Sequence, residues 1–102
     1  MIELWQTEWC PASRRVRQRL TELGVDYVTR QVPVEPESRD ALRRVTASSS
    51  IPALVLEDGS SIVGEDAIRF HLDLHIAESP EAEAHQRKAA KARHRYLEEE
   101  CK

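Results

Sequence analysis

The residue pair best suited to covalent chemistry in this chain of 102 residues is Cys10-Pro11. It lies between an apolar run at 2–5 and a helical pattern that continues through Val16 and Leu20. Proline suits the first helical turn because its missing N–H would have no partner there. A cysteine at such a junction lies near unpaired backbone N–H groups, which stabilise a thiolate. The sequence therefore predicts one reactive thiol, Cys10, with a lowered pKa.

The elements that must position this thiol alternate between strand and helix. We predict strands at 2–5, 25–32, 53–56 and 61–63, and helices at 11–23, 37–46 and 65–76. Asp58-Gly59 between the last two strands is a strong hairpin signal. The first strand, helix and strand should form a parallel pair with a right-handed crossover. The order β-α-β-α-β-β-α thus predicts an α/β fold, a mixed four-stranded sheet with helices on both faces.

A different pattern begins at Ser79-Pro80-Glu81, which combines a cap, a proline in the first turn and an acid. The apolar positions of the helix that follows are mostly alanine, so this helix offers little to a core. We therefore predict a domain at 1–78 and a polar C-terminal helical extension at 79–102. Pairing of two such helices into a dimer is the alternative.

Composition and charge restrict the classes of function. Lys and Arg number 15 and Asp and Glu 18, and the net charge of −3 gives no electrostatic support for nucleic-acid binding. No apolar run approaches the ~20 residues of a membrane span, and no signal peptide is expected. Two cysteines, Cys10 and Cys101, make no disulfide framework, so a reducing, cytoplasmic location is expected. His71 and His75 lack a third ligand, so no metal site is predicted.

Three short motifs, each at a predicted element boundary, resemble glutaredoxin and the thioredoxin-fold N-terminal domain of glutathione transferases. Cys10-Pro11-Ala12-Ser13 follows the first strand, Ser50-Ile51-Pro52 precedes the third, and Gly64-Glu65-Asp66 follows the fourth. The resemblance covers about residues 1–76. It implies a thioredoxin-like fold, a site built on Cys10, Pro11 and Ser13, and glutathione as co-substrate.

The resemblance also implies which residues bind glutathione. It predicts a cis Ile51-Pro52 bond that presents the Ile51 backbone to the cysteinyl backbone of glutathione. Glu65 and Asp66 match positions that hold the γ-glutamyl end. Asp66 would accept from its ammonium, while N–H groups at the helix start would bind its carboxylate. Arg39 or Gln6 is expected to bind the glycyl carboxylate.

Several positions depart from the pattern of the family. Ser13 stands where dithiol glutaredoxins have a second cysteine, which implies that an external thiol resolves any Cys10 disulfide. The Ser13 hydroxyl can still donate a hydrogen bond to the thiolate. Ala12 replaces the common aromatic residue, and Thr7 the usual lysine, while Glu8 adds a negative charge. Stabilisation of the thiolate is then expected from the helix dipole and Arg14.

We therefore predict a monothiol, glutathione-dependent thiol–disulfide oxidoreductase that acts on glutathionylated or disulfide-containing proteins through Cys10. A stand-alone domain that binds glutathione without efficient turnover is one alternative, since the chain is too short for the second domain of a transferase. A glutathione-ligated iron–sulfur carrier is another, although glycine usually follows the cysteine in that group and Pro11 follows it here. No nucleic-acid or membrane partner is expected.

Overall fold

The computed structural model of the protein describes residues 1–76 and, beyond them, residues 84, 87, 88 and 90–92. Its elements are β1 (Ile2–Gln6), α1 (Pro11–Glu22), β2 (Tyr27–Gln31), a 3-10 turn (Pro36–Ser38), α2 (Asp40–Thr46), β3 (Ala53–Val55), β4 (Ser61–Val63) and α3 (Glu65–His75). The predicted order of strands and helices is confirmed.

The second predicted helix differs from its expected form, because the chain makes a 3-10 turn before α2 begins at Asp40. Arg39 lies between the two with φ −90° and ψ 54°, outside the helical region. Its N–H bonds to the Pro36 carbonyl and closes the 3-10 turn, so the helical pattern from 37 to 46 is interrupted at this residue.

The sheet has the strand order β2-β1-β3-β4. β1 pairs with β2 in parallel, whereas β3 pairs with β1 and with β4 in antiparallel orientation, which confirms the mixed sheet. Trp5 lies opposite Ala53 in the β1–β3 ladder. The chain that leaves β1 toward Cys10 and the chain that enters β3 from Pro52 therefore meet at one end of the sheet.

The larger core lies on the face of the sheet that α1 and α3 cover. Apolar residues spaced four apart on each helix point toward the sheet, as expected for amphipathic helices. The buried members from these helices and from the two central strands are Leu4, Val16, Leu20, Leu54, Ile68 and Leu72. This core fixes the start of α1, and so the position of Cys10.

The opposite face is covered by the shorter α2, whose Leu42 is buried against Val32 and Ala53. Trp5, Ile51 and Val63 pack around them and are partly buried. Helices thus lie on both faces, and the fold is the predicted thioredoxin-like one. The packing of Ile51 here helps to fix the segment that precedes β3.

The segment after α3 is described only at residues 84, 87, 88 and 90–92, all of them helical. Cys101 and most of the predicted extension and dimer seam lie outside the described residues. The domain boundary at 78 and the extension thus remain predictions. None of the helices that the structure describes is long and apolar enough to cross a membrane.

Candidate functional site

Cys10 caps the N-terminus of α1 with its own side chain. Its backbone is extended, with φ −73° and ψ 119°, and its Sγ accepts a hydrogen bond from the Ser13 N–H at 3.4 Å. The Cys10 N–H in turn bonds to the Thr7 carbonyl at 3.4 Å, which closes the turn leading out of β1. The sulfur is free and partly buried. A free sulfur at a helix N-terminus is placed to be a nucleophile.

The pKa of the Cys10 thiol reflects opposing influences. Burial raises it, but the nearby Ser13 hydroxyl, the N–H groups of Ser13 and Ala12 and the charge of Arg15 lower it. Together these bring the pKa below its ordinary value. The cation among these influences is Arg15, whose side chain pairs with Glu65 at the start of α3. The contribution of Arg14 remains a prediction.

The Ser13 hydroxyl is fully buried and makes no hydrogen bond of regular geometry to any residue that the structure describes. It still lies close enough to the sulfur to help lower the pKa of Cys10. A buried hydroxyl without a partner is unfavourable, and a thiolate is a better acceptor than a thiol. Ser13 is therefore available to donate to Cys10 when the proton leaves.

The Ile51-Pro52 bond is cis, as the resemblance implied. Pro52 is fully buried, and its carbonyl accepts from the Gly64 N–H at 2.9 Å, which ties this segment to the start of α3. Neither the N–H nor the carbonyl of Ile51 bonds to another residue within the described part of the chain. Both groups are thus available to an extended ligand that pairs with the backbone.

The start of α3 brings two predicted ligand residues to the same end of the sheet. Gly64 precedes the helix with φ 98°, a conformation that favours glycine, and no side chain caps the first N–H groups. Asp66 is exposed and makes no ion pair with the residues described here. Uncapped N–H groups with carboxylates beside them can bind both the carboxylate and the ammonium of an amino-acid group.

Glu65 has partners already. Its carboxylate receives Nε and Nη2 of Arg15 at 2.5 and 2.8 Å, and Nη1 of Arg69 at 3.4 Å. The Arg15 hydrogen bond is the main reason that the pKa of Glu65 lies below its usual value. One turn further along α1 and two turns further along α3, Arg19 pairs with Asp73 at 2.8 Å. We call Arg15, Arg19, Glu65, Arg69 and Asp73 the arginine ladder.

Arg39 is buried, and its guanidinium donates to the carbonyls of Pro33, Val34 and Ser49 at 2.7, 3.0 and 2.8 Å. These bonds join the chain leaving β2 to the segment that leads to Ile51. Arg39 therefore helps to shape the entrance to β3. Its role in binding a glycyl carboxylate remains a prediction.

Gln6 is fully buried at the end of β1, within a polar group that also includes Glu8, Arg17 and Gln31. Its Nε2 donates to Glu8 Oε1 at 2.8 Å, and its Oε1 accepts from Arg17. Gln31 donates to the same Glu8 oxygen at 3.2 Å. We call these four residues the amide cluster. The binding role of Gln6 also remains a prediction.

The amide cluster changes the significance of Glu8, whose charge was expected to oppose the thiolate. Hydrogen bonds from Gln6 and Gln31 and the charge of Arg17 lower the pKa of Glu8, so this carboxylate is stabilised where it stands. Its bonds link the turn before Cys10 to β1, β2 and α1. The cluster thereby holds the loop that carries the nucleophile.

Two sequence signals for these contacts were missed. Arg15 and Arg19 are four residues apart, as are Glu65, Arg69 and Asp73, so complementary charges face each other once α1 and α3 are known to be neighbours. Gln6 and Gln31 occupy the same register position at the ends of the two paired strands. Both signals depend on which elements pack together.

Comparison with known proteins places these features in a family. The family model for glutaredoxin matches residues 2–62, which include the Cys10 turn and the Ile51-Pro52 bond. A curated relative, the uncharacterized glutaredoxin-like 8.6 kDa protein in the rubredoxin operon of Clostridium pasteurianum, is 28% identical over 64 residues. That alignment covers 63% of this chain and 84% of the relative.

Solved structures show the same fold. A glutathione S-transferase from Rhodospirillum rubrum F11 matches with a TM-score of 0.67 and 29% identity, covering 76% of this chain and 35% of that one. Ure2p, solved in complex with glutathione, matches with a TM-score of 0.66 and 26% identity, covering 76% of this chain and 34% of its own. The chain thus spans about a third of the length of each of these structures.

Proposed function

This chain belongs to the glutaredoxin family, and from that premise we propose that it is a glutathione-dependent monothiol thiol–disulfide oxidoreductase. The observation that carries the proposal is the Cys10 sulfur at the N-terminus of α1, hydrogen-bonded by the Ser13 N–H and with a lowered pKa. A thiol with a lowered pKa is present as the attacking thiolate in a larger fraction near neutral pH.

The reaction proceeds in two exchanges. The Cys10 thiolate attacks the glutathione sulfur of a protein–glutathione disulfide, that S–S bond breaks, and the protein leaves as a thiolate that takes up a proton. Cys10 is then disulfide-bonded to glutathione. The thiolate of a second glutathione attacks the glutathione sulfur of this adduct, which forms glutathione disulfide and releases the Cys10 thiolate. Ser13 has no sulfur with which to replace this external thiol.

The backbone and helix groups at the same end of the sheet as Cys10 support a glutathione pocket. The free N–H and carbonyl of Ile51 suit the cysteinyl backbone, as one short step of strand addition. The uncapped start of α3 suits the γ-glutamyl carboxylate, and Asp66 the ammonium beside it. The structure of Ure2p in complex with glutathione supports this choice of ligand for the fold.

The second substrate in this proposal is a glutathionylated or disulfide-containing protein. Trp9, directly before Cys10, is 79% exposed and offers an apolar surface beside the sulfur. A reducing compartment such as the cytoplasm would keep the free Cys10 thiol available.

The test is the release of glutathione from a glutathionylated peptide, followed by NADPH consumption in the presence of glutathione reductase. We expect a rate proportional to glutathione, its complete loss in Cys10→Ser, and an unchanged rate in Cys101→Ser. Isothermal titration with glutathione runs in parallel. Glutathione binding without turnover would contradict the enzyme and favour the stand-alone binding domain instead.

A further inference from the structure

We propose that Arg15 is a positioning residue of this site, which supplies positive charge to the Cys10 sulfur to an extent set by its ion pair with Glu65. The inference rests on the proposed use of Cys10 as a nucleophile. It concerns the cation of the thiolate, which the motif at Thr7 to Ser13 does not supply.

The geometry of the pair is bidentate, with two parallel N–H···O bonds of 2.5 and 2.8 Å between Arg15 and Glu65. Such a fork fixes the plane of the guanidinium as well as its distance. The Glu65 side chain is only 16% exposed, whereas that of Arg15 is 48% exposed. Glu65, held at the start of α3, therefore sets the position of an arginine that would otherwise be free to move in solvent.

The ion pair holds the Arg15 guanidinium at the start of α3, which lies at the same end of the sheet as the Cys10 turn, because Gly64 before α3 bonds to Pro52 before β3. Its charge is among the influences that lower the pKa of Cys10. The interaction is mutual. The pKa of Arg15 is raised first by its hydrogen bond to Glu65, and further by the charges of Glu65, Cys10 and Asp66. Glu65 therefore has two opposing effects on the sulfur. It holds the cation in place, and it neutralises part of the positive field.

Arg69 gives Glu65 a second cation at 3.4 Å. Removal of Arg15 thus does not leave the Glu65 carboxylate alone. Glu65→Gln, in turn, removes the neutralising charge but keeps a side-chain oxygen that can accept from Arg15, so Arg15 stays in place with its full positive charge. The two substitutions should change the thiol in opposite directions, which an ion pair that only held α1 against α3 would not do.

The experiment measures the rate of Cys10 alkylation by iodoacetamide from about pH 4 to about pH 10 in a Cys101→Ser background, so that one thiol is observed. We expect Arg15→Gln to raise the pH midpoint by about half a unit and Glu65→Gln to lower it by a similar amount, the size typical of a partly exposed charge. Arg15→Lys should stay near the unsubstituted midpoint, because the charge is retained.

Arg19→Gln is the matched control. Arg19 joins the same two helices through Asp73, with bonds of 2.9 and 2.8 Å, but lies one turn further from Cys10. We expect its midpoint to be unchanged. Equal shifts in Arg19→Gln and Arg15→Gln, or shifts of one sign in Arg15→Gln and Glu65→Gln, would overturn the proposal. If Arg15→Gln does not fold, a lowered midpoint in Glu65→Gln with an unchanged one in Arg15→Lys sustains the proposal, and a raised or unchanged midpoint in Glu65→Gln overturns it.

Iodoacetamide is not a glutathione substrate, so the result separates the two proposals. Opposite shifts in a protein without glutathione turnover would sustain the role of Arg15 and reject the oxidoreductase. Glutathione turnover by the unsubstituted protein, with unchanged midpoints in Arg15→Gln and Glu65→Gln, would sustain the oxidoreductase and reject the role of Arg15.

Discussion

The amide cluster and the arginine ladder both lie beside the Cys10 turn, but they are built in different ways. In the cluster, the fully buried amide of Gln6 stands between Glu8 and Arg17, and most bonds come from neutral donors. In the ladder, charged side chains at the surface join α1 to α3. Buried hydrogen bonds are costly to break, whereas exposed ion pairs contribute little to stability. We therefore expect the cluster to stabilise the Cys10 turn and the ladder to supply positive charge near the sulfur.

The largest effect is expected from Gln6→Ala. This change removes a fully buried amide and leaves Arg17 and Glu8 without one partner each, at a cost of about 2 kcal/mol in the free energy of unfolding. Urea unfolding followed by circular dichroism measures it. Gln31→Ala is the control, because Gln31 is exposed and should cost less than about 0.5 kcal/mol. Equal costs for Gln6→Ala and Gln31→Ala would mean that the burial of Gln6 does not account for its contribution to stability.

The outcome of that comparison depends on contacts that sequence patterns describe only in part. The alternation of strands and helices follows from apolar spacing and turn residues, and even the bounds of β4 at Ser61–Val63 were predictable from Asp58-Gly59 and Gly64. The predicted helix from 37 was wrong at its start, because the Arg39 backbone leaves the helical region. Local spacing does not reveal that break.

The candidate site shows the same division between local and tertiary information. Cys10 and the cis Ile51-Pro52 bond belong to short motifs at element boundaries, so the sequence identified them. The ion pair of Arg15 with Glu65 depends on which side of α1 faces α3, and the burial of Arg39 depends on the paths of two loops. Such contacts are set by packing between distant segments, and residue spacing does not determine them.

An intermediate effect is expected in the response of two carboxylates to acid and salt. The pKa values of Glu8 and Glu65 are lowered in the folded protein, mainly by amide hydrogen bonds for Glu8 and by Arg15 for Glu65. The unfolded chain therefore binds more protons near pH 4. The stability from these groups is present above their unfolded pKa of about 4.3, and is lost as the pH falls through the lower folded values.

Carbon-13 NMR titration of the glutamate side chains distinguishes the two sites. Raising NaCl from about 0.05 M to about 0.5 M should return the pKa of Glu65 toward its usual value more than that of Glu8, because salt screens the Arg15 charge more than neutral amide donors. Glu65→Gln should also flatten the acid dependence of unfolding at low salt. If salt shifted the pKa of Glu8 more than that of Glu65, the expectation that charge dominates in the ladder and neutral donors in the cluster would be wrong.

The smallest effect is expected from Arg19→Gln, which removes the second pair of the ladder. Arg19 bonds to Asp73 and to Glu22, yet Asp73 is about half exposed, so water replaces much of what the pair contributes. We expect a loss of about 0.5 kcal/mol in the free energy of unfolding at low salt, which shrinks further in about 0.5 M NaCl as the charges are screened. Urea unfolding of Arg19→Gln beside Gln6→Ala at both salt concentrations measures the two effects together. The cost of Gln6→Ala should change little with salt, because its origin is the loss of a buried amide and its hydrogen bonds and not of an ion pair. A cost for Arg19→Gln near 2 kcal/mol that persists in salt would show that the ladder also carries the stability of the α1–α3 contact.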